Sequence, residues 1–266
     1  MLTSLTDYTN SLEARIKETL PGFIDLNEDD IHDFRVSVKK TRTVLDFLDY
    51  WSQGYSTRRV LMAPFRPIYK KTGRIRELQV HKALVPKLAE LSGLDIEFLD
   101  KKINYQILRN EPYLEQITKK FKKQVPGIFK KVKKQIVLAD KSKTRIDAAE
   151  AYQIRLSKKI QKQADSESPD LHKVRQLLKQ KVYVYDAFQK SELLSFYKEF
   201  RAEWKIMEST MGAWHDQVVF QEWLIPGLRW KRLNDDQYKT MMKLISFLRS
   251  STGRMEKELI KTIQGK

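Results

Sequence analysis

The sequence carries the same pair of short motifs twice, in the same order and at almost the same offset. One motif sets an Arg and a Lys three and seven positions after a His, beginning at His32 and again, 140 positions later, at His172. The other begins at Gly73 and again, 139 positions later, at Gly212. Two motifs that recur together predict an internal duplication, with repeats at about 1–140 and 141–266.

Apolar residues recur at helical intervals through most of the chain, and the alternation typical of strands is scarce. The run from Asn27 to Trp51 predicts one long helix, with Asn27 or Asp29 as its cap. A later helix, from Pro112 to Asp140, is expected to break at Pro126-Gly127. The fold is therefore predicted to be all-α, most simply two helical bundles.

The chain is strongly basic, with a formal charge of +17. Such a chain attracts polyanions, namely nucleic acid, anionic lipid or polyphosphate. The segment from Lys119 to Lys162 concentrates this charge, with fifteen Lys and Arg against three acids, which favours an anion-binding surface over a solvated helix face. The absence of cysteine excludes disulfides and thiolate chemistry. The absence of a signal sequence or a long apolar run predicts a cytoplasmic protein without a membrane span.

The first motif forms a cationic stripe when it is placed on a helix of about 100° per residue. Its members fall within a sector of about 80° and span about 15 Å along the axis, which suits an extended anion with many charged oxygens. These members are His32, Arg35, Lys39 and Arg42. In the second copy His172, Arg175 and Lys179 keep the same places, but Val182 stands where the first copy has Arg42.

The glycine motif ends in a base-capable side chain beside an acid in both copies. The first copy has Arg76-Glu77 and the second has His215-Asp216. The acid could orient a cation within the bundle or simply pair with it.

With these four motifs the sequence resembles the CHAD family, the conserved histidine α-helical domains, over nearly the whole chain. The resemblance implies one domain, 1–266, of two four-helix bundles related by a pseudo-two-fold axis. It further implies that a basic central groove or pore binds inorganic polyphosphate, and that polyphosphate-metabolising or granule proteins are partners. The sequence departs from the family at Val182 and His215, where a basic residue and an Arg are usual. The second half of the site is therefore expected to be the weaker one.

The leading hypothesis is a non-catalytic polyphosphate-binding protein that needs no metal or cofactor and is associated with polyphosphate granules. The residues expected to bind polyphosphate are His32, Arg35, Lys39, Arg42, Arg76, Lys119, Lys123, Lys130, Lys134, His172, Arg175, Lys179 and His215.

Two other functions are consistent with parts of the sequence. The five Trp and eleven Tyr could stack on the bases of RNA or another nucleic acid. Many aromatic residues nevertheless have the spacing of a core, as do Phe34, Phe47, Trp51, Phe196 and Phe200. A metal-dependent phosphohydrolase using His215-Asp216 is less favoured. A metal centre needs three or more converging ligands, and the other copy has Arg76-Glu77 at this place.

Overall fold

The computed structural model describes residues 3–52, 58–109, 111–139, 145–188, 197–230 and 233–265. Within these ranges the chain forms ten α-helices, a short 3₁₀ helix at Pro21–Phe23 and no β-strand, which confirms the all-α prediction. None of these helices has both the length and the apolar character that crossing a membrane requires. The α-helices are α1 Thr3–Thr19, α2 Glu28–Trp51, α3 Arg58–Met62, α4 Phe65–Ser92, α5 Phe98–Leu108, α6 Glu111–Ala139, α7 Arg145–Ala164, α8 Leu171–Phe188, α9 Tyr197–Gly227 and α10 Asp235–Gln264.

Helix α2 begins and ends where the sequence predicts. The side chain of Asn27 accepts a hydrogen bond from the backbone N–H of Asp30 at 3.0 Å, which satisfies a donor that the first turn leaves open. Three acids occupy that turn and interact favourably with the positive end of the helix dipole. One face of the helix is fully buried, including Phe34, Val38 and Leu45. Burial of this face fixes the rotation of α2 and therefore the direction of its cationic stripe.

The expected break at Pro126-Gly127 is wrong, because α6 runs without interruption through both residues. Pro126 and Gly127 are exposed, whereas Val125 and Phe129 are fully buried on the opposite face. A proline in a helix interior costs about 3 kcal/mol. Each large apolar side chain that becomes buried stabilises the folded state by about 1.5–3 kcal/mol. The buried stripe on both sides of the proline therefore outweighs the lost backbone hydrogen bond.

The chain divides into two compact units, each assembled from separated segments. The first unit consists of Met1–Arg76, Asn110–Ile160 and Gln176–Lys205. Aromatic rings dominate its core. Phe34 of α2 meets Phe121 of α6 edge to face, with 5.9 Å between the ring centroids. These contacts fix the faces that α2 and α6 turn towards each other.

The second unit consists of Glu77–Arg109, Gln161–Arg175 and Ile206–Lys266. Its core contains side chains from α4, α5, α9 and α10. His81 is buried among them, with its ring centroid 5.0 Å from that of Phe220 and 5.3 Å from that of Trp223. The predicted duplication into repeats at about 1–140 and 141–266 stays a prediction.

Some of the aromatic residues expected in the core are buried, and Phe200 is not. Phe34, Phe47 and Trp51 are buried, as their spacing predicts. Phe200 is 39% exposed, so the expectation for this residue is wrong. Its ring stacks on Trp204 along the same helix, with 6.4 Å between the centroids. Phe196 lies outside the described residues.

Candidate functional site

Arg35 is held against α4 at two points. Its Nη1 donates a hydrogen bond to the carbonyl oxygen of Tyr69 at 2.7 Å, and its Cζ lies 4.1 Å from the centroid of the Tyr69 ring. Gly73, one helical turn further along α4, makes this approach possible. A Cβ at Gly73 would lie 2.9 Å from Nη1 of Arg35. The glycine motif therefore leaves room for the arginine of the histidine motif.

The same relationship occurs in the second unit between Arg175 and Gly212. A Cβ at Gly212 would lie 3.4 Å from Nη2 of Arg175. That atom also lies 4.0 Å from Oε1 of Glu208, in an ion pair whose two side chains are only 16% and 11% exposed. Nε of Arg175 is buried and lacks a hydrogen-bond partner among the described residues. Both copies of the two motifs thus bring an arginine of one helix against a glycine of another.

His32 lies in a cluster of cationic side chains that three helices supply to the first unit. Its ring remains open to solvent. Partial desolvation nevertheless lowers the pKa of His32 below 6.5, and the positive charges of Arg76, Lys39 and Lys179 lower it further, while Asp33 acts in the opposite direction. These cations are far apart in the sequence and belong to α2, α4 and α8, and the folded chain brings them close to one imidazole. We call His32, Lys39, Arg76 and Lys179 the His32 cluster.

One cation of the cluster, Arg76, is paired with an acid. Nη1 of Arg76 lies 3.6 Å from Oε2 of Glu28, a residue of the first turn of α2 that is 55% exposed. An exposed ion pair of this kind contributes about 0–1 kcal/mol to stability. An incoming anion can therefore replace Glu28 at small cost.

His172 and His215 are brought together in the second unit. Their ring centroids are 4.7 Å apart, and the ring planes are inclined by 46°. The first residue belongs to α8 and the second to α9. They correspond in the two motifs to His32 and Arg76, so equivalent positions lie close together in both units. Among the described residues, no group of three His, Cys, Asp or Glu side chains is placed to hold a metal ion.

The lysines of α6 lie on a different surface from the His32 cluster. The buried stripe of α6 packs towards α1 and α2, and the four lysines chosen from the sequence project from the opposite side. One helix diameter, about 10 Å, therefore separates them from the interface with α2. All four are exposed, and Lys119 pairs with Glu115 at 2.7 Å. We call Lys119, Lys123, Lys130 and Lys134 the α6 ridge.

Val182 is buried, with 4% of its surface exposed. Helical phase placed it beside Arg175 and Lys179 on the stripe of α8, but the side chain belongs to the core of the first unit. A basic residue here would bring a charge into that core. The second copy of the stripe is thus shorter than the first for a reason of packing.

Sequence reasoning missed one feature of the first unit. A cavity of about 550 Å³ lies between the C-terminal half of α2, the short helix α3 and the start of α4. The signal that could have indicated it is the doubled arginine Arg58-Arg59. Its lining residues are Arg42, Asp49, Arg58, Arg59, Met62, Phe65, Arg66, Tyr69 and Lys70.

Comparison with known proteins agrees with this fold. The chain is similar over 100% of its length to 91% of the CHAD domain crystal structure from the plant Ricinus communis, with a TM-score of 0.78 and 13% sequence identity. It also resembles PptA from Streptomyces chartreusis, with a TM-score of 0.59, 12% identity and coverage of 97% of this chain and 99% of that one. No curated protein matches the sequence. The model of the CHAD domain matches residues 10–225, and the chain therefore belongs to the CHAD family.

Proposed function

We propose that the protein binds inorganic polyphosphate and does not transform it. One observation carries the proposal: α2, α4 and α8 bring Lys39, Arg76 and Lys179 close enough to His32 for each to lower its pKa. Such a concentration of like charge is unfavourable unless an anion relieves it. Polyphosphate carries one negative charge per internal phosphate, and its oxygens can meet several cations at once.

The cations have different roles in this proposal. The guanidinium groups of Arg35 and Arg76 bridge phosphate oxygens in a fork, whereas Lys39 and Lys179 act as mobile point charges. Arg35 donates one N–H to the backbone of Tyr69, which orients its guanidinium group. Membership of the CHAD family supports the same ligand, because the family resemblance implies polyphosphate binding. The central groove or pore implied by that resemblance stays a prediction.

The burial of three aromatic rings near the stripe of α2 favours polyphosphate over RNA. A base-stacking platform needs an aromatic face that is open to the ligand. Phe34, Phe47 and Trp51 lie in the core and offer none. Polyphosphate has no bases and needs no such platform, so a cluster of cations suits it.

The proposal is tested by titrating the protein with long-chain polyphosphate at two ionic strengths, beside single-stranded RNA at equal phosphate concentration. If about six phosphates are neutralised, the logarithm of affinity should fall against the logarithm of salt with a slope near −4. Polyphosphate should displace the RNA. Affinity that does not change with salt, or failure to displace RNA, would contradict the proposal.

Absence of catalysis has its own test. We expect no release of phosphate from polyphosphate, with or without added divalent metal. Release that required the metal and disappeared in His215→Ala would identify the protein as a hydrolase instead. Association with polyphosphate granules and their proteins is part of the proposal, and co-localisation with granules in cells tests it.

A further inference from the structure

The cavity beside α3 is strongly cationic. Five of its nine lining residues are basic and one, Asp49, is acidic. Arg58 forms an ion pair with Asp46, with 2.6 Å between Nη1 of the arginine and Oδ1 of the aspartate. Arg59, Arg66 and Lys70 are exposed at the mouth, where they can meet an anion from solution. The cavity therefore attracts a ligand with more than one negative charge.

The inner wall of the cavity is apolar. Met62 and Phe65 line it and are 7% and 1% exposed. Their side chains offer no hydrogen-bond donor to a phosphate oxygen and no passage for a charged chain. An anion in the cavity therefore meets cations on the exposed side and only apolar side chains on the buried side.

The cationic stripe of α2 leads to this cavity. Arg42 is both the last member of the stripe and a lining residue. It stands ten residues after His32, which corresponds to about 15 Å along the helix axis. An extended phosphate chain that lies along the stripe from His32 therefore reaches the mouth of the cavity.

From these observations, and resting on the proposed function, we infer that the cavity beside α3 binds the end of a polyphosphate chain. A terminal phosphate resembles a phosphate monoester and carries a charge of about −1.5 to −2 at pH 7, whereas an internal phosphate carries about −1. The concentration of arginine at the mouth matches the more highly charged group, and the apolar wall matches a chain that goes no further. Short chains, in which the ends are a large share of the phosphates, depend most on this site.

The test compares tripolyphosphate with long-chain polyphosphate by titration calorimetry on two double variants. Arg59→Ala/Arg66→Ala removes two exposed arginines of the mouth. Arg249→Ala/Arg254→Ala removes two exposed arginines of α10 and is the matched control for net charge. Two lost charge-assisted contacts should weaken tripolyphosphate binding about tenfold or more. The control should change it less than about twofold.

A second probe tests directly whether the protein recognises the ends of the chain. Long-chain polyphosphate is used with both terminal phosphates joined to a neutral alkylamine as phosphoramidates. Capping should weaken binding to the unaltered protein and have little effect on the mouth variant, which has already lost the end contact.

The outcomes separate this inference from the proposed function. If long chains bind but tripolyphosphate does not, the inference is overturned and the proposed function stands. The same conclusion follows if tripolyphosphate binds the mouth variant and the control variant with equal affinity. Equal affinity for capped and uncapped chains overturns the inference as well. If no polyphosphate of any length binds, the proposed function fails and the inference fails with it.

Discussion

Arg35 packs directly against Gly73. A Cβ atom at position 73 would lie only 2.9 Å from Nη1 of the arginine. The two residues belong to different motifs of the sequence, and the structure shows that they meet where the glycine leaves room for the arginine. The guanidinium group lies over Tyr69 because position 73 presents only backbone. In the second unit Arg175 and Gly212 repeat the arrangement at 3.4 Å.

The first prediction concerns these two glycines. Replacing an interior helical glycine with alanine stabilises a helix by about 1 kcal/mol. Gly73→Ala should gain less, because Arg35 must leave the Tyr69 carbonyl and lose a hydrogen bond worth about 1 kcal/mol. Its affinity for polyphosphate should fall about threefold to tenfold. Chemical denaturation and ligand titration measure the two effects.

Two control variants accompany Gly73→Ala. Gly253→Ala on α10 meets no atom within 4 Å, and Gly212→Ala meets Arg175 only at 3.4 Å. Both should be as stable as the parent protein or more stable, and the control on α10 should keep full affinity. A loss of affinity of the same size in Gly253→Ala would disprove the explanation through Arg35.

The second prediction concerns pH. Desolvation and then Arg76 hold the pKa of free His32 below 6.5. A bound polyanion offsets the neighbouring cations and raises this pKa, so binding takes up protons. The contribution of His32 to affinity is therefore small above the bound-state pKa and grows as the pH falls through it. Calorimetry in two buffers of different ionisation enthalpy should show proton uptake that is larger at pH 6 than at pH 8.

The variant His32→Gln keeps a hydrogen-bonding side chain and removes the titration. Its affinity should depend less on pH than that of the parent protein between about pH 8 and pH 6. Identical pH profiles for the two proteins would show that His32 does not face the ligand.

The third prediction separates the His32 cluster from the α6 ridge. Arg76 is 29% exposed in its side chain and stands among other cations, whereas Lys123 is exposed on the outer face of α6. Arg76→Ala should weaken polyphosphate binding about tenfold at physiological salt. Lys123→Ala should act mainly on the association rate at low salt, because exposed charges are screened. Stopped-flow measurements at two salt concentrations distinguish the two. An equal loss in both variants would place the ridge in the same site.

The fourth prediction concerns stability. Burial lowers the pKa of His81 from 6.5 to about 4, and neither ring nitrogen has a hydrogen-bond partner among the described residues. The unfolded chain takes up a proton near pH 6.5, whereas the folded chain does so only near pH 4. This contribution to stability is therefore complete above pH 6.5 and is lost as the pH falls towards 4, by about 3 kcal/mol in total.

The variant His81→Leu removes this titration together with two unpaired polar atoms. The difference between its denaturation midpoints at pH 7.5 and pH 5 should be clearly smaller than in the parent protein. Should the two proteins lose stability in parallel on acidification, the imidazole would have to be hydrated or paired in solution.

Much of the first unit's helix structure was predictable from local signals. Asn27 caps α2 and Trp51 ends it, because a capping side chain and an apolar period act over a few residues. Helical phase also placed His32, Arg35 and Lys39 beside a buried face. The meeting of Arg35 with Gly73 was visible in the sequence only as the co-occurrence of two motifs, since their contact depends on tertiary packing.

Other features depend on packing that no local pattern encodes. Pro126 is tolerated because residues on both sides of it are buried. Val182 has the phase of a stripe residue but lies in the core. The lysines of α6 share their sign with the His32 cluster but not its surface, and net charge alone gave no means to tell the two apart.

Tyr69 carries two guanidinium groups over its ring, that of Arg35 at 4.1 Å and that of Arg42 at 5.4 Å. These long side chains have therefore lost much of their rotational freedom before any ligand arrives, and each would otherwise surrender about 0.5–1.5 kcal/mol of entropy on binding. If polyphosphate binds as proposed, its phosphates would meet charges that already point in fixed directions. Such preorganisation would slow dissociation more than it speeds association, so Tyr69 would help to set how long the ligand stays bound.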